Sequence, residues 1–597
     1  MGPGPRLGAG LDLPWGPRGF VRDPNGRDHV ANHVQAFVAG PPAHGRPWSH
    51  LFFSLQPRDR SLPDVAQYRD AWDHLMECLP EGAARALHTT ALNLGAPHPK
   101  NRTRLLSLVN AMVDRYGLRW INEDLGLWTL GGKPLPYPLP PYLTESGLQA
   151  AIDNTRLCQR ELSVPLLVEF PGFAKGVSLP LGDLDAYDFF RRLIEETDAP
   201  CTLDVGHLMS WRFLRGHRGE ALLAELERLP LWHCFEIHLS GCLIDNDAFF
   251  DLHHGVLLPE QLEFLQRLLP LCPNVRAVTF EDPALRDDGT LEPRCAESLA
   301  ALAEIVPEPS GGPRSVSVPA DREAATEHPC AVRRNERPLR TARDPRHRPA
   351  NLQEAMRLDD HLSRLVWNIR TRESFLVSGQ LSAANDPERR HLAQIDAEEL
   401  RSLARQATSA LLARAQPGVG SLKECFGDAF AAWRKRHPAD RDFQHLAETF
   451  CANHGQEVRE GMTVERGSSL EQAFAEFAQT AGLLAPRAAA LALAKAVARA
   501  WLVSQPLAFT IPSSFQRCGT GVFAVIDGDP PFLVAAIGGQ LLEGPITELI
   551  AALLTGTPPE QAARDQQVDE EVALATAAEL RQLGLLPLLP LRTRPTA

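Results

Sequence analysis

Eight short apolar runs, alternating with longer stretches that carry apolar residues at helical spacing, fill the first 308 residues and leave few architectures open. The runs are RLGAGLDL (6–13), HLFFSLQ (50–56), RALHTTAL (85–92), WINEDL (120–125), PLLVEF (165–170), CTLDVGH (201–207), HCFEIHLSG (233–241) and VRAVTFED (275–282). Between them lie amphipathic segments, among them NRTRLLSLVNAMVDRYG, ESGLQAAIDNTRLCQREL, DAYDFFRRLIEETD, GEALLAELERL, PEQLEFLQRLLPL and RCAESLAALAEIV. Strands that alternate with helices build a parallel sheet, and eight such units in about 300 residues predict a (β/α)8 TIM barrel. A doubly wound open sheet has nothing to rest on, because no Gly-rich phosphate loop follows the first run.

Past residues 1–308, the expected barrel domain, the composition changes. Residues 309–350 are rich in Pro, Arg and Ser and poor in periodic apolar residues, which predicts a disordered linker whose Arg cluster is a solvated charge run. Residues 351–597 read as a second, mainly α-helical domain: helical patterns recur from LDDHLSRLVWNIRTRESFL to DEEVALATAAELRQLGLL, interrupted by a short β hairpin in GVFAVIDGDPPFLVAAIGG.

The formal charge of −13 argues against binding driven by phosphate contacts, so no nucleic-acid partner is expected. Eleven Cys, an odd count without CxxC pairs, and an N-terminus lacking a signal-type pattern predict a reduced, cytoplasmic protein. No apolar run approaches the ~18 residues of a transmembrane helix, so no membrane association is expected.

The stretch FEIHLSGCLIDNDAFFDLHHG places Glu236 and His238 two residues apart in an apolar run, and Asp251 and His253 repeat that spacing. Residues i and i+2 of a strand share a face, so Phe235, Ile237 and Leu239 point one way and Glu236, His238 and Ser240 the other. Alone, the pair reads as a His–Glu contact inside a core. A barrel, however, collects its chemistry at the C-terminal ends of its strands. There the third run carries His88, the fourth Glu123 and Asp124, the fifth Glu169, and the sixth Asp204 with His207. The seventh adds Glu236 and His238, the eighth Glu281 and Asp282, and Asp251 and His253 follow in the loop after the seventh. So many carboxylates in one desolvated mouth repel one another, and cations resolve the conflict. Carboxylates and imidazoles without thiolates favour Fe, Mn or Zn, with enough ligands for more than one ion.

In HTTALNLG, VEFP, LDVGH, EIHLSG, DLHHG and FEDP, in this order across residues 6–308, the sequence resembles the multinuclear non-heme iron-dependent oxidases of the methanobactin-biosynthesis type, themselves similar to xylose-isomerase-type barrels. The resemblance implies iron ligation by His88, Glu169, Asp204, His207, His238, Asp251, His253 and Glu281, with two or three irons per chain and dioxygen as co-substrate. It also implies oxidation of a residue, often Cys, in a ribosomally made precursor peptide. Asp124, Glu123 and Glu236 are the candidate catalytic acids.

The pattern departs from the family's in three places. NEDL stands where members often carry Ser-Asp-His-Leu, which puts Asp124 at a His position and leaves Glu123 either an auxiliary acid or an outward-facing residue. FFSLQPRD replaces a strand with Glu and His, and Phe170 stands where Asn is common. Such oxidases work with a partner that presents the peptide, a role open to residues 351–597 beside plain dimerisation or stabilisation. Two other readings are a Zn or Mn isomerase or hydrolase on the same barrel and a non-catalytic peptide-binding scaffold.

Overall fold

A computed structural model describes residues 8–12, 34, 37–40, 48–55, 65–80, 83–97, 102–174, 178–245, 248–286, 290–306, 352–382, 384–413, 415–416, 420–454, 470–503, 515–518 and 521–587. The segment 309–350, expected as a linker, lies outside the described residues. Contacts divide the chain into two compact units. The first comprises Met1–Gly131, Leu135–Ser363 and Ser374–Leu403, and the second Gly132–Pro134, Arg364–Glu373 and Ala404–Ala597. Residues 351–363 and 374–403, counted with the C-terminal domain on sequence grounds, therefore fall in the barrel's unit.

All eight runs become strands: β1 (Gly8–Asp12), β2 (His50–Leu55), β3 (Ala84–Thr89), β4 (Ile121–Asp124), β5 (Leu166–Glu169), β6 (Cys201–Asp204), β7 (Cys234–Leu239) and β8 (Ala277–Glu281). They pair in parallel and in sequence order, and β8 returns to β1 from Gly8↔Ala277 to Asp12↔Glu281, which closes the barrel. Alternation then sorts the side chains. Leu51, Phe53, Leu87, Ile121, Val168, Leu203, Ile237 and Phe280 point outward into one continuous core with helix residues such as Val109, Phe190, Phe264 and Leu299. Burying each such side chain contributes about 1.5–3 kcal/mol, which makes this sheet–helix layer the main source of stability.

The interior has an apolar floor of Phe52, Ala86, Trp120, Leu167 and Phe235. Phe235 was expected to face outward with Ile237. The pairing of β6 with β7 slips between Cys201↔Cys234 and Thr202↔Glu236, so one extra residue is accommodated and Phe235 turns inward with Glu236.

Two further expectations change. GEALLAELERL is not one helix but two 3-10 turns, Gly219–Leu223 and Leu226–Arg228. Glu225 between them is left-handed, at φ 64°, and is held by Arg212 at 2.8 Å and Arg228 at 2.5 Å. Arg228 also pairs with Asp185 and Asp188, so tertiary ion pairing overrides helical periodicity. A helix, Val205–Leu214, instead starts directly after β6.

In the second unit the expected hairpin is part of a four-stranded antiparallel sheet, β9 (Gln516–Cys518), β10 (Gly521–Ile526), β11 (Phe532–Ile537) and β12 (Gln540–Pro545). Gly538 and Gly539, at φ 59° and 77°, make the tight turn into β12 that other residues resist. Helix Pro486–Val503 covers one face through Val497 and Trp501, and the helices Glu548–Leu554, Pro559–Gln566 and Glu570–Gln582 cover the other. Among the described residues no helix is long and apolar enough to cross a membrane, and the ten Cys are free thiols.

Candidate metal centre

The carboxylates and imidazoles gather above the apolar floor, at the C-terminal ends of the strands. Among the described residues two groups have ligand atoms mutually within 4.8 Å: Glu169, Asp204, His238 and Glu281 form one, and His88, Asp124 and Glu169 the other. Glu169 belongs to both. His238 Nδ1 lies 2.6 Å from Glu281 and 3.3 Å from Glu169, while His88 Nε2 lies 3.7 Å from Asp124 and 3.8 Å from Glu169. A third set adjoins them. His207 Nε2 and His253 Nε2 approach the same oxygen of Asp251, at 3.2 and 3.1 Å. Seven side chains here are at least nine-tenths buried or nearly so, whereas Asp251 and His253 retain 20% and 33% exposure, so solvent reaches the cluster from their side.

Local structure explains the placement. Asp204 ends β6 and caps the next helix, accepting from the His207 amide at 2.7 Å through Oδ1, which leaves Oδ2 turned to the cluster. His207 is fixed in the first turn of that helix, its Nδ1 held 2.8 Å from the Phe170 carbonyl, so Nε2 faces Asp251. Gly172 admits this ring, since a Cβ there would stand 3.0 Å from His207 Cδ2. Asp251 closes a hairpin, Cys242–Asp245 with Ala248–Asp251, that occupies the expected loop after β7. His253 and Asp282 both adopt left-handed backbone, φ 50° and 48°, and meet at 3.1 Å. Such conformations in non-Gly residues cost about 1–3 kcal/mol and tend to persist where function requires them.

Electrostatics fit a cation site. Burial pushes Glu169 up, but the imidazoles of His238, His88 and His207 outweigh it and hold the carboxyl at about 2. Burial raises Asp204 to about 7 and Glu281 above its ordinary range. Burial works to lower His207, His238 and His253, yet the surrounding carboxylates raise all three well above the usual imidazole range. In the metal-free chain, shared protons thus balance the acids. Glu169 Oε1, Asp204 Oδ2 and Glu281 Oε1 are buried acceptors without a hydrogen-bond partner, as oxygen ligands of a cation would be. Oxygen and imidazole donors with no thiolate suit Fe, Mn or Zn.

Of the eleven expected site residues, nine join this cluster: His88, Asp124, Glu169, Asp204, His207, His238, Asp251, His253 and Glu281. Glu123 is turned out of the interior, because Asn122 and Asp124 on either side of it point in. It is buried and accepts from the amides of Ala91 and Asn93 at 3.2 and 2.9 Å, which shapes the loop after β3. Asn93 in that loop is itself left-handed, φ 54°. Glu236 lies a layer deeper, against Trp120 and Thr279. Burial raises its carboxyl, but His238 and His50 outweigh this and keep it well below the ordinary range. Sequence reasoning missed Asn122, which donates to Glu169 and accepts from Thr202 at 2.7 Å. Its place two residues before Asp124 on the same strand face was the available signal.

Residues 64–288, a span holding every member of the cluster, match the model of the RiPP precursor modification enzymes MbnB/TglH/ChrH, which act on ribosomally made peptides. In its barrel the chain is similar to that family. It is 25% identical over 230 residues to a UPF0276 protein of Streptomyces avermitilis, covering 37% of this chain and 46% of that one. It is 29% identical over 159 residues to a UPF0276 protein of Pseudomonas aeruginosa, covering 26% and 51%. The chain thus spans about half the length of the curated relatives it matches. Among solved structures, a D-allulose 3-epimerase from Methylomonas sp. aligns at TM-score 0.30 and 15% identity over 51% of this chain and 98% of that one. Endonuclease IV from Thermus thermophilus aligns at TM-score 0.30 and 16% identity over 50% and 98%.

Proposed function

We propose that the barrel is a multinuclear iron-dependent oxidase that uses dioxygen to modify one residue, a Cys, of a ribosomally made precursor peptide. The observation that carries this reading is the pair of buried ligand groups that share Glu169. His88, Asp124 and Glu169 would hold one iron, Glu169, Asp204, His238 and Glu281 a second, and His207, Asp251 and His253 a third. Bound there, iron supplies one-electron redox chemistry and an open position for a soft thiolate.

The remaining work belongs to the chain. Asp251 and His253, the more exposed members of the cluster, mark the side from which the reacting residue reaches it. The floor of Phe52, Trp120 and Phe235 bars water from below. Leu243, Phe250 and Leu252 share the outer face of the hairpin that carries Asp251, and they are 40%, 38% and 47% exposed. A peptide entering at Asp251 passes this face and lays apolar residues on it. The second unit captures a more distant part of the same peptide and raises its effective concentration at the barrel.

The test is metal analysis with Mössbauer spectroscopy on anaerobically purified protein, followed by oxygen uptake with the peptide. Two or three irons per chain and peptide-dependent uptake are expected. Stoichiometric Zn or Mn in protein that is active without oxygen would put the isomerase or hydrolase reading in its place.

A further inference from the structure

Beneath the cluster lies a polar layer that an all-aliphatic barrel floor would not need. Glu236 is fully buried. Its Oε2 accepts from the Trp120 indole at 2.9 Å, and its Oε1 accepts from the Thr279 hydroxyl. Thr279 has one proton, already given to Glu236, so its oxygen must accept the 2.8 Å contact from His50 Nε2. That puts a proton on His50 Nε2, while Nδ1 lies 2.7 Å from the Ser49 hydroxyl, which itself donates to the Ala9 carbonyl at 2.8 Å. Gly10 makes room for the His50 ring, because a Cβ there would fall 2.3 Å from Nε2. The indole and the hydroxyl carry no charge, and behind that hydroxyl His50 Nε2 stands 3.6 Å from Glu236 Oε1. A buried carboxylate left without a cation is strongly destabilising. The cluster member nearest Glu236 is His238, whose Nε2 stands 3.3 Å from Oε1, in ion-pair range though not oriented as a hydrogen bond. The other ring nitrogen, Nδ1, faces Glu169 and Glu281.

We infer that Glu236, braced by Trp120, Thr279 and His50, is the positioning residue that makes His238 a metal ligand through Nδ1. It holds the proton on Nε2 and sends its charge through the ring to the ion shared with Asp204 and Glu281. The inference rests on the metal reading above and assigns Glu236 a place behind the ligands, out of reach of substrate. A partner of this kind typically changes metal affinity about 10–100-fold. Its effect falls first on the ion that His238 would hold with Asp204 and Glu281.

The experiment is anaerobic titration of the full chain with Co(II), read by its visible absorption, in wild type and in an Asp124→Asn background that retains the His238 ion. Glu236→Gln keeps the shape and removes the charge. It should weaken the His238 ion about 10–100-fold, while the metal-free protein melts no lower than its parent. Thr279→Val should act in the same direction, less strongly. Unchanged Co(II) affinity in Glu236→Gln would overturn the inference, as would lower stability of the metal-free protein with affinity intact, the mark of a merely structural acceptor. Should Glu236→Gln fail to fold, Thr279→Val decides, and unaltered affinity there overturns the inference. Wild-type protein that takes up no divalent ion would instead remove the metal reading itself.

Discussion

Glu169 is the carboxylate common to both ligand groups, so its loss and the loss of Asp124 have different signatures. Glu169→Gln should lower occupancy of both ions, and Asp124→Asn of one, each by about 10–100-fold in affinity. Metal content after gel filtration against a chelator distinguishes the two, and equal loss in both variants would contradict the shared-ligand arrangement. The raised imidazoles set a pH dependence. His207, His238 and His253 hold protons above their ordinary range in the metal-free chain, and an ion must displace those protons. Uptake therefore releases protons, and affinity falls as pH falls, by about tenfold per pH unit for each proton released. Titrations at two pH values a unit apart, with proton release measured, check the sign. At this scale the nine clustered residues were legible because strand alternation and strand-end position are written in single residues. Glu123 and Phe235 were harder. The first needed the register of β4, in which Asn122 and Asp124 take the inward places, and the second needed a bulge that no local pattern announces.

The hairpin of Cys242–Asp245 with Ala248–Asp251 has two unlike faces. Its inner face seats Phe249 near Phe213 of helix Val205–Leu214 and presents Asp251 to the cluster, and its outer face shows the Leu243↔Phe250 pair. Exposed positions contribute little to folding, so Phe250→Ser should change stability by no more than about 0.5 kcal/mol. If the peptide lies on this face, the same variant should raise KM severalfold and leave kcat and metal content close to wild type. An unchanged KM for a peptide that is turned over would remove the hairpin from recognition. In sequence this element reads as a loop because each strand has four residues, too few for a period to stand out. The helix after Asp204 was hidden for a related reason: its first turn, VGH, continues the apolar run of β6, and capping by Asp204 marks the boundary only once the strand end is known. In the second unit the Gly538–Gly539 pair marks the turn into β12, a strand beyond the hairpin that the sequence predicts.

For the whole molecule, the division of the chain into units bears on how it can be cut. Sequence composition places a boundary at 308, but helix residues between 352 and 403 fall in the barrel's unit. The Ala355 amide donates to Ser146 Oγ at 3.0 Å, the Tyr142 hydroxyl to Asp359 at 3.1 Å, and Gln394 to Asp183 at 3.2 Å. Leu358, Leu362, Leu392 and Leu400 are buried as well. Each buried Leu contributes about 1.5–3 kcal/mol, and 1 kcal/mol shifts the melting midpoint of a domain this size by about 2–4 °C. A chain ended after residue 308 loses all of these contacts, whereas one ended after residue 403 keeps them. The shorter chain should therefore melt lower by about 5 °C or more, while the longer one retains wild-type metal content and binds the peptide less tightly for want of the second unit. Calorimetry and metal analysis of the two truncations check this. Equal melting midpoints would show that the helices between residues 352 and 403 are dispensable to the barrel, and full peptide affinity in the chain ended at 403 would take substrate capture away from the second unit.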